Sequence, residues 1–230
     1  MARIKQTPRR LLSRHHARLA TRQMGAPSTD PAVRCVDALT RDDCLHLQVA
    51  REAYADSPAV ALGDGELILA RSTPTLKFYR RAGTNDYIIG SRGTAEGQDV
   101  LTDATLAAGA LKLSRRWRKD RAVVQAFLAA SPSARARVAG HSLGGAIARE
   151  LSREFGDHVR GGVTFNSAFD ATQLADARPG ITNYFTRGDA LGKLAHVAGT
   201  LGHNNVYVGK GDWNFLRAHK LEQFVEDAGR

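Results

Sequence analysis

The stretch Arg137-Val138-Ala139-Gly140-His141-Ser142-Leu143-Gly144-Gly145-Ala146-Ile147-Ala148 decides how this chain is read. Arg137 to Ala139 is a short strand-like run, and Leu143 to Phe155 carries a helical pattern ended by Gly156. Between them, Gly140-His141-Ser142-Leu143-Gly144 fits G-x-S-x-G in the strand–turn–helix setting that gives the pattern its chemistry. The backbone must pass from strand to helix within a few residues, which holds Ser142 in a strained conformation. Gly140 and Gly144 remove side chains that would collide at this crossing. Ser142 then projects from the turn, and the following helix turns its amino terminus toward a developing oxyanion. The plainer alternative is a Gly-rich turn whose serine only caps the helix.

Outward from this turn, strand and helix patterns alternate. Helices are expected over Arg41–Tyr54, Leu101–Trp117, Val123–Ala130 and, last in the chain, Phe215–Val225. Strands are expected over Glu66–Ala70, Leu76–Arg80, Tyr87–Gly90, Gly162–Phe165, Asn183–Phe185 and, near an edge, Asn205–Val208. This order implies an α/β fold: a mostly parallel sheet with helices on both faces, in one compact domain over residues 32–230. Chemistry in such sheets gathers at the carboxyl ends of the strands.

The blocks Val138 to Gly145, Ser91-Arg92-Gly93-Thr94, Arg187-Gly188-Asp189-Ala190-Leu191 and Arg217-Ala218-His219-Lys220-Leu221 together resemble the class 3 (fungal-type) lipases of the α/β-hydrolase fold. The resemblance runs over roughly Tyr87 to Phe224. It implies a serine hydrolase of the lipase, phospholipase or esterase type, working through an acyl-enzyme on Ser142 without metal or organic cofactor. It implies an oxyanion hole made by Thr94, through hydroxyl and backbone N–H, and by the backbone N–H of Leu143. The elbow itself would be Gly140, His141 and Gly144.

Triads of this fold run in the order Ser, acid, His. Asp189 is the candidate acid, with Asp170 and Asp176 as runners-up. His219 is the candidate base, with His203 as the alternative. The gap of 30 residues from Asp189 to His219 is short for the family and implies a trimmed version of the fold. Ala95-Glu96-Gly97-Gln98-Asp99, where the family has its lid, holds no bulky apolar residue. A lid that opens at a lipid interface needs one. Asp103 matches a family aspartate of structural, hydrogen-bonding role. Phe165-Asn166-Ser167-Ala168 stands where the family has Phe-Gly-x-Pro; it reads as a pocket wall without chemistry.

Charge is unevenly spread over the 230 residues. The net charge is +10, and residues 1–31 hold seven Lys or Arg and one acid, Asp30. That tail suits an anionic membrane surface or nucleic acid, an organelle-targeting segment, or simply a solvated, poorly ordered arm. Its opening, Ala2 to Thr7, resembles the amino terminus of histone H3 over six residues. A second class of function follows: a non-catalytic binding or structural protein with a hydrolase fold, attached by its tail to nucleic acid, chromatin or a larger particle. The cluster Arg115, Arg116, Arg118, Lys119 and Arg121 reads as a solvated helix face with Trp117 buried.

No apolar run reaches the roughly 18 residues of a membrane span, and no secretory signal opens the chain. Cys35 and Cys44 make no disulfide framework and lack metal-site spacing. Phosphate-loop and zinc motifs are missing as well.

Overall fold

The computed structural model describes residues 35–94, 111–169, 171–174, 180–197, 204–209 and 214–226. The tail 1–31, the segment 95–99, Asp103, Asp170, Asp176 and His203 lie outside the described residues.

Among the described residues, eight strands form one sheet in strict chain order. They are β1 Ala61–Leu62, β2 Leu67–Ser72, β3 Leu76–Arg81, β4 Asp86–Ser91, β5 Arg135–His141, β6 Val159–Phe165, β7 Ile181–Thr186 and β8 Asn204–Val208. β1 to β4 meet as antiparallel hairpin neighbours. From β4 onward every pairing is parallel. The switch at β4 follows from connection length: Gly83-Thr84-Asn85 is a tight turn, whereas parallel neighbours need a crossover. β8 sits at the sheet edge, as its sequence pattern predicts.

The helices are α1 Arg41–Glu52, α2 Arg115–Ala130, α3 Leu143–Glu154, α4 Ala171–Leu174, α5 Ala190–Val197 and α6 Phe215–Ala218. α1 starts at a capping box between Thr40 and Asp43, with Asp42 and Asp43 complementing the helix dipole. It covers one face, packing Leu45, Val49 and Ala50 on Leu67, Tyr79, Ala139, Val163 and Phe165. α2 and α3 cover the other, where Trp117, Val124, Phe127, Ile147 and Leu151 meet Leu76, Phe78, Ile89 and Val138. Alternation along β5 does the sorting: Val138 enters one core and Ala139 the other.

Several expectations are corrected. The closing helix over Phe215–Val225 is instead α6, an extended Lys220 and a 3-10 turn over Leu221–Phe224. A continuous helix would use Ala218 O and His219 O as acceptors for N–H groups four residues on. Both carbonyls are taken by side chains of other elements, as described below. The hairpin strand β1 and the helix α5 had no counterpart in the sequence reading. The basic cluster on α2 is not wholly solvated: Trp117 is buried as expected, but Arg116 is half-buried and paired with buried Asp120.

Cys35 and Cys44 form a disulfide. It fastens the segment before α1 to the helix. That segment is also pinned to the end of the chain, with Cys35 bridging Val225 and Val36 N–H donating to Phe224 O (3.1 Å).

Candidate active site

Ser142 follows the last residue of β5 and precedes the first of α3. Its backbone sits at φ 55° and ψ −128°, a conformation that costs an L-residue of order 1–3 kcal/mol. The packing of strand and helix offsets that cost. A Cβ on Gly140 would lie 2.3 Å from Gly144 O, and one on Gly144 would lie 2.1 Å from Ser91 O. The elbow closes only because both are glycine. Ser142 makes no side-chain capping bond, so the plainer reading of a helix-capping serine does not hold. Its Oγ is buried and has no hydrogen-bond partner among the described residues.

His219 and Asp189 meet in space. His219 Nδ1–H donates to Asp189 Oδ1 at 2.6 Å, and both side chains are buried. Asp189 Oδ2 accepts from the Gly192 N–H at 2.8 Å. Asp189 is thus oriented by the first turn of α5, directly after β7. His219 Nε2 is buried and unpartnered among the described residues, like Ser142 Oγ. The two atoms are not hydrogen-bonded to each other here, and such bonds commonly tighten only with substrate.

Three side chains hold the backbone of Ala218 and His219. Asn166 Nδ2 donates to Ala218 O (3.0 Å) and His219 O (3.1 Å), while its Oδ1 accepts from Thr186 N (2.9 Å). Thr186 Oγ1 donates to Ala218 O at 2.5 Å. His141 Nε2–H donates to His219 O at 2.7 Å. This last bond fixes the His141 tautomer, because a carbonyl can only accept. His141 Nδ1 is then the acceptor for the Tyr54 hydroxyl at 2.8 Å. Burial pushes the Tyr54 phenol up to about 12, with the Gly93 backbone acting in the opposite direction. One chain of hydrogen bonds therefore joins Tyr54, just after α1, to His141 and the His219 loop. Burial drives His141 down to about 3, with His219 nearby acting in the same direction, so the ring is neutral.

The sequence reading missed Asn166, taken as a pocket wall, and Tyr54, taken only as the end of a helix. A positive φ (41°) at a non-glycine residue after β6 marks Asn166 in the structure. No local sequence signal marks Tyr54, which lies 87 positions from His141.

Thr94 lies just beyond the carboxyl end of β4, beside the elbow strand. Its Oγ1 is buried without a partner among the described residues. Leu143 opens α3, so its N–H lies in the first turn, where no intrahelical acceptor exists. The Arg92 carbonyl, one residue before Gly93, accepts from Arg116 Nη2 (2.8 Å). Arg116 Nε is held at 2.5 Å by Asp120, whose other oxygen accepts from Thr75 Oγ1 at 2.6 Å. The loop before Thr94 is thereby braced from α2.

Among the described residues no cluster of His, Cys, Asp or Glu could hold a metal ion, and no helix is long and apolar enough to cross a membrane.

No protein-family model and no curated protein sequence matches the chain. Solved structures do. A triacylglycerol lipase from Penicillium expansum aligns with TM-score 0.43 and 15% identity, covering 73% of this chain and 67% of its own. A lipase from Rhizopus microsporus var. chinensis aligns with TM-score 0.43 and 18% identity, covering 73% and 74%. The fold class rests on the strand order and the two helical layers: a mostly parallel α/β sheet with its elbow at the carboxyl end of β5.

Proposed function

We propose that this chain is a serine hydrolase that cleaves carboxylic esters through an acyl-enzyme on Ser142. The observation that carries the reading is the buried Asp189–His219 hydrogen bond, with His219 Nε2 and Ser142 Oγ both left without partners among the described residues. Buried polar atoms are normally paired, and two orphans beside a strained elbow suit a site completed by substrate.

In this reading Ser142 Oγ attacks the ester carbonyl carbon while His219 Nε2 takes its proton. Asp189 stabilises the imidazolium and keeps the proton on Nδ1. The carbonyl oxygen becomes an oxyanion, held by the Leu143 N–H and by Thr94. Losing one such donor costs roughly 100- to 1,000-fold in turnover. The C–O bond breaks, His219 gives its proton to the leaving alcohol, and the acyl group stays on Ser142. Water then attacks with His219 as base, releasing the acid and restoring Ser142. Lipid acyl esters are the substrate class, and the basic residues 1–31 suit an anionic surface on which such esters are met.

The test is labelling with a fluorophosphonate, wild type beside Ser142→Ala. Labelling of the wild type alone supports the reading. Absence of labelling in a folded wild type, together with no hydrolysis of short p-nitrophenyl esters, overturns it in favour of a non-catalytic protein.

A further inference from the structure

A cavity of about 300 Å³ opens at the foot of the sheet, at the end opposite Ser142. Arg81, Arg135, Arg137 and Arg160 line it, and Asp86 is its one acidic lining residue among the described residues. The topology brings them together. Arg81 ends β3, which runs antiparallel to β4, and Asp86 begins β4. Arg135 begins β5 in register with Asp86, and Arg160 is the second residue of β6. Ser142 lies seven positions after Arg135 along β5 and the elbow, which at ~3.3 Å per strand residue is roughly 20 Å.

The four guanidiniums are not equivalent. Arg81 reaches Asp42 and Glu66, and Arg137 reaches Asp42. Those two are neutralised and positioned from the first turn of α1 and from the β1–β2 hairpin. Arg135 and Arg160 are exposed and have no carboxylate partner among the described residues. Arg135 Nη1 donates to the adjacent Ala134 O at 3.2 Å. Two unneutralised cations thus face one concavity backed by two more that are already fixed in place. An anion that enters is attracted by both charges. Guanidinium forks match the paired oxygens of phosphate, and those of Arg135 and Arg160 are the ones that no carboxylate engages among the described residues, while the carboxylate partners of Arg81 and Arg137 fix the wall behind them.

We infer that this cavity is a binding site for a compact anion carrying two phosphate groups, remote from the Ser142 site and independent of its chemistry. Arg135 and Arg160 supply the free charge, and Arg81 and Arg137 shape the wall. The two phosphates can come from a free diphosphate or from the paired phosphate monoesters of a lipid headgroup.

The experiment is calorimetric titration of the full chain with inorganic pyrophosphate. Wild type is compared with Arg135→Gln/Arg160→Gln and with Arg9→Gln/Arg10→Gln, which removes the same charge from the tail. Both cavity positions are exposed, and a melting curve unchanged from wild type verifies folding. The expected result is saturable one-to-one binding, weakened at least tenfold in the cavity variant and unchanged in the tail variant. Equal weakening in both variants, or no saturable binding to the wild type, overturns the inference. Phosphatidylcholine vesicles carrying phosphatidylinositol bisphosphate separate the two sources. Sedimentation with them that pyrophosphate competes away, and that the cavity variant loses, assigns the lipid source. Saturable pyrophosphate binding without vesicle binding assigns the free one.

Discussion

Asp189→Asn tests the candidate triad through hydrogen-bond logic alone. Asp189 uses both oxygens: Oδ1 accepts from His219 Nδ1 (2.6 Å) and Oδ2 accepts from the Gly192 N–H (2.8 Å). An amide in its place has one acceptor and one donor group. The Gly192 N–H can only donate, so it takes the amide oxygen, and the NH2 group is turned toward His219 Nδ1. That nitrogen must then be an acceptor, which moves the ring proton to Nε2. His219 Nε2 can no longer receive the Ser142 proton. The substitution is nearly isosteric, and the Gly192 bond survives, so the fold is retained. A tautomer inversion of this kind costs about 10,000-fold in turnover in serine proteases. At about 1.36 kcal/mol per decade that is about 5 kcal/mol of transition-state stabilisation. The assay is kcat on a soluble p-nitrophenyl ester, with a thermal melt on the same sample. A folded Asp189→Asn variant within tenfold of wild type would refute the assignment of the acid.

Other expectations follow from the surrounding network. Tyr54→Phe removes the hydroxyl that His141 Nδ1 accepts from, leaving that ring nitrogen buried without a partner. That orphan costs about 1–3 kcal/mol, and steady-state kinetics should show kcat down roughly tenfold or more with KM little changed; a loss confined to KM contradicts a positioning role. Stability should fall on mild acidification. Burial holds His141 at about 3 and His46 at about 4, so both stay neutral in the folded chain while the unfolded chain protonates them. The unfolded state then binds more protons, and each histidine removes up to about 1.4 kcal/mol per pH unit as pH falls below about 6.5. Urea unfolding at about pH 7 and about pH 5 reads this, and equal midpoints would count against it. Reducing the Cys35–Cys44 disulfide, which closes a loop of sequence separation 9, should cost roughly 2.5 kcal/mol by chain entropy. Differential scanning calorimetry with and without reductant should show a drop of roughly 5–10 °C. An unchanged melt means that the link constrains nothing in the unfolded chain.

Local patterns carried the elbow. G-x-S-x-G between an apolar strand and a helix is a steric statement about consecutive residues, and the backbone at Ser142 obeys it. The core helices and the parallel half of the sheet were legible for the same reason, because period and alternation are local. The candidate acid and base were legible only as an order along the chain, and 30 residues of sequence cannot say whether two side chains touch. The break of the last helix at Lys220 was not legible at all. It depends on Ala218 O and His219 O being claimed by Asn166, Thr186 and His141 from distant strands.

The sequence by itself therefore determined the fold class and a strained serine at the end of β5, since both follow from short-range sterics and hydrophobic period. Only the tertiary structure decided that Asp189 and His219 form a buried pair, that Tyr54 and Asn166 support the site, that Cys35 and Cys44 join, and that four arginines share one cavity. Each of these depends on which strands become neighbours. That is set by burying two apolar faces of one sheet at once, a property of the whole chain that no local window contains.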